Sequence, residues 1–141
     1  MPALDTYLFF DGTCAEAMRF YERTLGGKIE MMMTQAESPM RDQAPPGAPP
    51  DQIIHARLAL GDRKLMASDW CVPDEPYGGM KGFSLSLEYQ SVAEAQKIFD
   101  ALSQGGKVTM PMQKTFWAEN FGMLVDRFGT AWMVTGGERA H

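Results

Sequence analysis

Two segments of this chain carry the same pair of helix signals at a nearly constant distance. Thr13-Cys14-Ala15-Glu16 and Ser91-Val92-Ala93-Glu94 both have the capping-box pattern, and they begin 78 positions apart. In such a box the Ser or Thr side chain accepts from a backbone N–H at the helix start, and the Glu reaches back. Gly26-Gly27-Lys28 and Gly105-Gly106-Lys107 then end the two predicted helices. Signals that recur in this order indicate an internal repeat, which restricts the fold to two similar modules.

The segments around each predicted helix have the apolar, alternating composition of strands. In the first half the predicted strands are Ala3–Phe10, Lys28–Thr34, Ile53–Leu60 and Lys64–Ser68. In the second half they are Phe83–Tyr89, Lys107–Met112, Phe121–Val125 and Ala131–Thr135. The predicted order is therefore βαβββ twice within one domain, 1–141, with module one at about residues 3–69 and module two at about residues 83–136.

Proline interrupts the regular segments at two places. Glu37–Gln52 contains five prolines and cannot form a continuous helix or a central strand. Its role stays open between covering the binding site of a partner subunit and extending into solvent. Asp69–Gly82 also contains proline and glycine, and it is predicted to link the two modules. The terminal residue, His141, is predicted to be disordered.

Composition and charge argue against several classes of protein. A chain of 141 residues with 45% hydrophobic content is enough for one domain with a core. A formal net charge of −5 argues against nucleic-acid binding, for which a basic patch is expected. No apolar run is long enough to span a membrane, and no secretory signal is visible. Cys14 and Cys71 are far apart, which favours reduced thiols and a cytoplasmic location.

The stretch Phe116–Gly136 predicts a hairpin whose turn is Asp126-Arg127-Phe128-Gly129. Its layout, G-x-x-x-D-x-x-G-x-x-W, resembles the closing hairpin of the vicinal-oxygen-chelate superfamily, which includes glyoxalase I, bleomycin-resistance proteins and extradiol dioxygenases. Within that superfamily the chain is most similar to the PhnB-like subgroup, often labelled 3-demethylubiquinone-9 3-methyltransferase-like. The similar blocks are TYLFFDGTCAEAMRFYERTLGG, LSQGGKVTMPMQ and FWAENFGMLVDRFGTAWMV.

The resemblance implies an α+β fold in which two βαβββ modules place their sheets around a shared cavity for a small ligand. It also implies a homodimer. In the metal-using members a Glu near the Trp of the last strand ligates a divalent metal, but Met133 stands at that place here. The four positions that correspond to the family's ligands are Leu4 or Thr6, Met66, Ser84 and Met133, and none has a metal-binding side chain. We therefore expect neither a catalytic metal nor another cofactor.

Strand alternation predicts which side chains face the cavity. If Met133 faces it, then Thr135 does too, while Trp132 belongs to the core, and the repeat places Met66 and Ser68 at the equivalent positions. In the other strands, alternating residues are predicted to face the cavity as well. Trp117 lies in the loop that precedes the closing hairpin. The predicted ligand-binding residues are Leu8, Phe10, His55, Arg57, Met66, Ser68, Ser84, Ser86, Trp117 and Met133.

Three of the polar candidates have more than one interpretation. His55 is either a general base in an apolar cavity or an ordinary strand histidine, and Glu88 is either a pocket acid or a solvated strand end. Arg57 is either an anchor for an anionic ligand or one half of a surface salt bridge. His55 and Glu88 are the candidate catalytic residues.

Two hypotheses for function follow, and a purely structural role is a third. The first is a small-molecule-binding protein without a metal. The alternative is an enzyme of lyase, isomerase or dioxygenase type, with His55 or Glu88 as the acid–base group. A methyltransferase that uses S-adenosylmethionine normally has a doubly wound sheet with a Gly-rich first turn, and the sequence predicts neither.

Overall fold

The computed structural model describes residues 1–44, 47–72 and 74–138. It divides into two compact units, Met1–Gly79 and Met80–His141. The Pro45-Pro46 pair of the proline-rich segment and the terminal His141 lie outside the described residues.

The first unit contains one helix and a four-stranded mixed sheet. Its elements are β1 (Thr6–Phe10), α1 (Cys14–Leu25), β2 (Lys28–Thr34), β3 (Ile53–Leu60) and β4 (Arg63–Asp69). The strand order is β1-β4-β3-β2, with β1 parallel to β4 and the other neighbours antiparallel. The proline-rich connection between β2 and β3 contains a short 3₁₀ turn, Arg41–Gln43.

The second unit repeats this topology. Its elements are β5 (Leu85–Tyr89), α2 (Val92–Ser103), β6 (Lys107–Gln113), β7 (Ala118–Val125) and β8 (Ala131–Glu138). The strand order is β5-β8-β7-β6, again with the first pair parallel. The predicted α+β fold with two βαβββ modules is confirmed. Among the described residues, no helix has the length and apolar character needed to cross a membrane.

The Gly-Gly-Lys signals mark the same close approach in both units. A Cβ atom on Gly27 would lie 2.5 Å from the carbonyl oxygen of Ala59 in β3. A Cβ atom on Gly106 would clash in the same way with the carbonyl oxygen of Val125 in β7. Since no larger side chain fits between the start of β2 or β6 and the neighbouring strand, the repeat keeps glycine at this position.

The two helices begin differently, although the sequence predicts the same capping box for both. Ser91 Oγ accepts from the backbone N–H of Glu94 at 3.1 Å, as predicted. The prediction for Thr13 is wrong, because its side chain makes no capping hydrogen bond. Instead, Asp69 Oδ1 accepts from the backbone N–H of Cys14 at 2.9 Å. A buried carboxylate from the end of β4 therefore replaces the local cap at the start of α1.

The closing hairpin depends on a second buried carboxylate, Asp126. Its Oδ1 accepts from the backbone N–H groups of Phe128 at 2.9 Å and Thr130 at 3.1 Å, which holds the turn. Its Oδ2 accepts from the indole Nε1–H of Trp132 at 2.8 Å. Trp132 is 2% exposed, so its predicted place in the core is confirmed. The D-x-x-G-x-x-W spacing thus has a direct physical reason, since one carboxylate binds both the turn and the indole.

We expect Asp126→Asn to lower the free energy of unfolding by about 2 kcal/mol, because an amide cannot satisfy all three donors. With its oxygen on the turn side, the new NH₂ group faces the indole N–H of Trp132. Asp62→Asn, in the exposed turn between β3 and β4, is the matched control and should change stability by less than about 0.5 kcal/mol. Urea unfolding measures both variants, and equal effects would contradict this role of Asp126.

Candidate functional site

The sheet of the first unit packs α1 on one side, and aromatic residues lie on the other side. Tyr7 pairs with Met66, Met66 pairs with Arg57, and Phe9 pairs with Ser68, so these side chains share one face. Tyr7 is 38% exposed and Phe9 is 43% exposed. We call the side opposite α1 the open face; it carries Tyr7, Phe9, His55, Arg57, Met66 and Ser68.

Five rings on and beside the open face form a chain of contacts, which we call the aromatic cluster: Tyr7, Phe9, His55, Trp70 and Tyr77. The rings of Tyr7 and His55 stack with centroids 5.7 Å apart, and those of Tyr7 and Phe9 are 5.1 Å apart. Phe9 and Trp70 meet edge to face at 5.4 Å, and Trp70 is 6.4 Å from Tyr77. These separations are typical of favourable aromatic pairs.

Hydrogen bonds hold the chain that follows β4 beside β1. The backbone N–H of Trp70 donates to the carbonyl oxygen of Phe10 at 2.6 Å, and the Tyr77 hydroxyl donates to the carbonyl oxygen of Phe9 at 2.7 Å. The indole Nε1–H of Trp70 donates to the carbonyl oxygen of Glu75 at 2.8 Å. Trp70 and Tyr77 are thus fixed at the edge of the open face. Burial and the nearby Asp11 also raise the pKa of Tyr77, so its hydroxyl stays protonated as a donor.

Tyr7 and His55 form a polar pair within the aromatic cluster. The Tyr7 hydroxyl and His55 Nδ1 are 3.2 Å apart, although the residues are 48 positions apart in the chain. In the tautomer with hydrogen on Nδ1, the imidazole donates to the phenol oxygen, and Nε2 keeps a lone pair. In the other tautomer the phenol donates to Nδ1. The pair can therefore offer an acceptor or a donor to a bound molecule.

A charged group lies at one end of the open face. Glu30 Oε1 accepts from Arg57 Nε at 3.1 Å and from Lys64 Nζ at 2.7 Å. The Lys64 hydrogen bond is the largest cause of the lowered pKa of Glu30, with smaller contributions from the two positive charges. Of the two interpretations of Arg57, the salt bridge is present, but both cations are partly exposed, with side chains 43% and 37% accessible.

The prediction that Leu8 and Phe10 face the same side of the sheet as Met66 and Ser68 is wrong. The parallel register pairs Leu8 with Ala67 and Thr6 with Leu65 on the side of α1. Leu8 is 1% exposed and Phe10 is 0% exposed, so both belong to the core under the helix. The sequence does not indicate that Tyr7 and Phe9 face the open side, because large apolar or aromatic residues occupy both alternating sets of positions in this strand.

The superfamily's metal does not fit the residues at the corresponding positions. The register confirms that Met66 and Met133 are equivalent, because Met66 lies beside Tyr7 as Met133 lies beside Ser86. Thioether and hydroxyl groups are poor ligands for the divalent ions that these sites bind. In residues 1–44, 47–72 and 74–138, no three His, Cys, Asp or Glu side chains come close enough to hold a metal ion.

The remaining predicted residues belong to the second unit. Ser86 pairs with Met133 and Glu88 pairs with Thr135, so these four share the side opposite the core residues Trp132 and Val134. Ser84 precedes β5. A cleft of about 490 Å³ is lined by Glu88, Tyr89, Gln90 and Gly137. Glu88 is the predicted site residue among them.

Trp117 belongs to a separate group of rings in the second unit. Its ring lies 4.7 Å from that of Phe116 and 5.1 Å from that of Phe121, both edge to face. Trp70 is the tryptophan of the aromatic cluster. The sequence signal that could have indicated this is the position of Trp70 immediately after β4, at the end of the strand that carries Met66 and Ser68.

Comparison with known protein families gives a match over most of the chain. The family model described as 3-demethylubiquinone-9 3-methyltransferase matches residues 2–135. Protein YjdN from Escherichia coli (strain K12) is 36% identical over 138 residues, which cover 93% of this chain and 92% of that protein. The predicted likeness to this family is therefore confirmed.

Comparison with solved structures gives the same result for the fold. Protein PA1353 from Pseudomonas aeruginosa is 47% identical with a TM-score of 0.88, covering 96% of this chain and 98% of that one. A putative 3-demethylubiquinone-9 3-methyltransferase, PhnB protein, from Bacillus cereus is 26% identical with a TM-score of 0.79, covering 96% and 99%. A glyoxylase/bleomycin resistance protein/dioxygenase domain from Frankia sp. EAN1pec, 16% identical with a TM-score of 0.62, covers 100% and 95% and shares the fold.

Proposed function

We propose that this chain, which belongs to the 3-demethylubiquinone-9 3-methyltransferase family within the vicinal-oxygen-chelate fold, binds a small planar aromatic molecule on the open face of its first unit. The aromatic cluster is the observation that supports this most strongly. Tyr7 and Phe9 are partly exposed rings, and Trp70 borders them. Covering such rings with another aromatic ring removes apolar surface from water and adds a stacking interaction.

The floor of the proposed site suits ligands of varied shape. Met66 lies between Tyr7 and Arg57 in the sheet, and its flexible thioether adapts to different outlines. Ser68, which pairs with Phe9, is buried. We propose that the binding uses no metal, because His55 is the one residue named on this face with a common metal-binding side chain, and the aromatic, thioether, hydroxyl and guanidinium groups contact a ligand directly.

The family name refers to a quinone, a planar conjugated ring whose reduced quinol form is aromatic and belongs to the proposed ligand class. We do not propose methyl transfer. Both units contain a mixed sheet with a single helix, whereas S-adenosylmethionine is normally bound on a doubly wound sheet with helices on both sides. A homodimer in the cytoplasm remains part of the proposal, on the resemblance and on the free thiols of Cys14 and Cys71.

We expect 2-naphthamide, an uncharged planar probe, to bind saturably, and Phe9→Ala to weaken its binding about fivefold, because one stacking partner is lost. Isothermal titration calorimetry measures both dissociation constants. Phe116→Ala is the matched control, since Phe116 is a 74% exposed phenylalanine of the second unit. Absence of saturable binding, or equal weakening by the two variants, would contradict the proposed site.

A second candidate function is acid–base catalysis at the Tyr7–His55 pair, which keeps the enzyme alternative with His55 as base. The 3.2 Å contact between the Tyr7 hydroxyl and Nδ1 orients the imidazole, as a positioning partner does in many acid–base sites. With hydrogen on Nδ1, the free Nε2 accepts a proton from a carbon next to a ligand carbonyl. Glu88 lies in the second unit and is not part of this pair.

The acid–base function predicts that the protein accelerates deuterium exchange at the activated CH₂ of 2-tetralone, an aromatic ketone, in D₂O. His55→Gln should reduce the exchange rate by about 10²-fold or to the buffer rate, the usual range for a lost general base. Tyr7→Phe should have a smaller effect and leave the melting temperature nearly unchanged. Proton NMR follows the exchange. If the wild-type rate equals that of buffer or of His55→Gln, catalysis of this kind is excluded and the binding function stands alone.

A further inference from the structure

We infer that the aromatic ligand of the open face is an anion, whose acidic group is bound by Arg57 and Lys64 in place of the Glu30 carboxylate. This inference rests on the proposed function, because it assigns a ligand class to the same site.

The sheet register sets the distance between the aromatic rings and the cations. Tyr7, Met66 and Arg57 lie side by side on β1, β4 and β3. Neighbouring strands are about 4.8 Å apart, so the backbones of Tyr7 and Arg57 are roughly 10 Å apart. Both side chains are long and share one face. A ligand with one ring, or with two fused rings, and an attached acidic group is long enough to contact both side chains.

The cations retain hydrogen-bonding capacity after they bind Glu30. Arg57 uses Nε for Glu30 Oε1, and its two terminal nitrogens make no hydrogen bond within the described part of the chain. Lys64 Nζ donates to the same oxygen. A guanidinium group has five donors arranged to bind a carboxylate in a bidentate manner, and an ammonium group has three.

Three cations lie on this part of the open face, because the strand pairing places Lys28 and Lys64 on either side of Ala59, on the face that carries Arg57. Glu30 pairs directly with Arg57 and Lys64. Asp5 and Glu22 instead accept from the backbone N–H groups of Lys64 and Ile29. Of these three carboxylates, Glu30 alone pairs with the cations, so its displacement leaves Arg57 and Lys64 for the acidic group of a ligand.

Glu30 occupies the site as an internal substitute for the ligand. It lies in β2 at the point where the register with β3 shifts, between Ile29 and Met31. Glu30 therefore has no regular partner on β3, and simple alternation does not determine the direction of its side chain. It is exposed, and exposed salt bridges contribute little to stability. A ligand carboxylate can therefore compete for the two cations at a small cost.

The test compares 2-naphthoate with 2-naphthamide, two probes of the same shape that differ in charge, by isothermal titration calorimetry at low salt. The wild-type protein should bind naphthoate about fivefold more tightly than naphthamide, a difference expected for partly exposed charge-assisted contacts. In the double variant Arg57→Gln/Lys64→Gln this preference should disappear, while naphthamide binding stays the same.

Two further variants make the test specific. Glu30→Gln removes the competing carboxylate and should tighten naphthoate about threefold without affecting naphthamide, since a neutral amide attracts the cations less. A merely structural Glu30 would weaken both probes. Arg63→Gln is the matched control, because Arg63 pairs with Leu60 and lies on the other face of the sheet. It removes one positive charge, half the charge change of the double variant, without touching the site. Thermal melting shows that each variant is folded.

The outcomes separate this inference from the proposed function. Equal affinities of wild type for the two probes, or a preference that survives the double variant, would overturn the anion assignment and leave aromatic binding intact. If neither probe binds the wild-type protein, both the inference and the proposed function fail. Tighter naphthoate binding by wild type, lost in the double variant and increased by Glu30→Gln, supports the assignment.

Discussion

The buried carboxylate of Asp69 joins three elements of the first unit. Oδ1 accepts from the backbone N–H of Cys14 at the start of α1, and Oδ2 accepts from that of Ile53 at the start of β3, at 2.8 Å. Both groups would otherwise be unsatisfied donors in the interior. This carboxylate therefore ties the start of α1 to the start of β3 and the end of β4. Burial, together with the Asp69 charge, raises the pKa of the adjacent Cys14 thiol to about 12, so the thiol stays neutral.

The position of α1 on one side of the sheet determines which side chains are left on the open face. Alternation along β1 sends Leu8 and Phe10 under α1, which leaves Tyr7 and Phe9 on the open face. The same register brings Met66 and Arg57 into one row with Tyr7. The register of the sheet thus determines the positions of the aromatic cluster and of the cations Arg57 and Lys64. Each proposal about ligand binding depends on that register.

Much of the fold can be predicted from local signals, while the candidate site cannot. The repeat, the closing hairpin and the core position of Trp132 follow from glycine, turn and apolar patterns close together in the chain. The side of the sheet that each β1 residue faces cannot be predicted, because both alternating sets contain large apolar or aromatic residues, Leu8 and Phe10 in one and Tyr7 and Phe9 in the other. The Tyr7–His55 and Cys14–Asp69 contacts join residues 48 and 55 positions apart, so no local pattern indicates them.

The central claim is that a planar aromatic molecule binds on the open face of the first unit, and methionine methyl NMR tests it most directly. Met66 lies on that face, Met133 is its equivalent in the second unit, and Met18 is buried in the core. With ¹³C-methyl methionine, 2-naphthamide should shift the Met66 signal saturably through the ring current and leave Met18 in place. A Met66 signal that does not move while Met133 shifts would contradict the account.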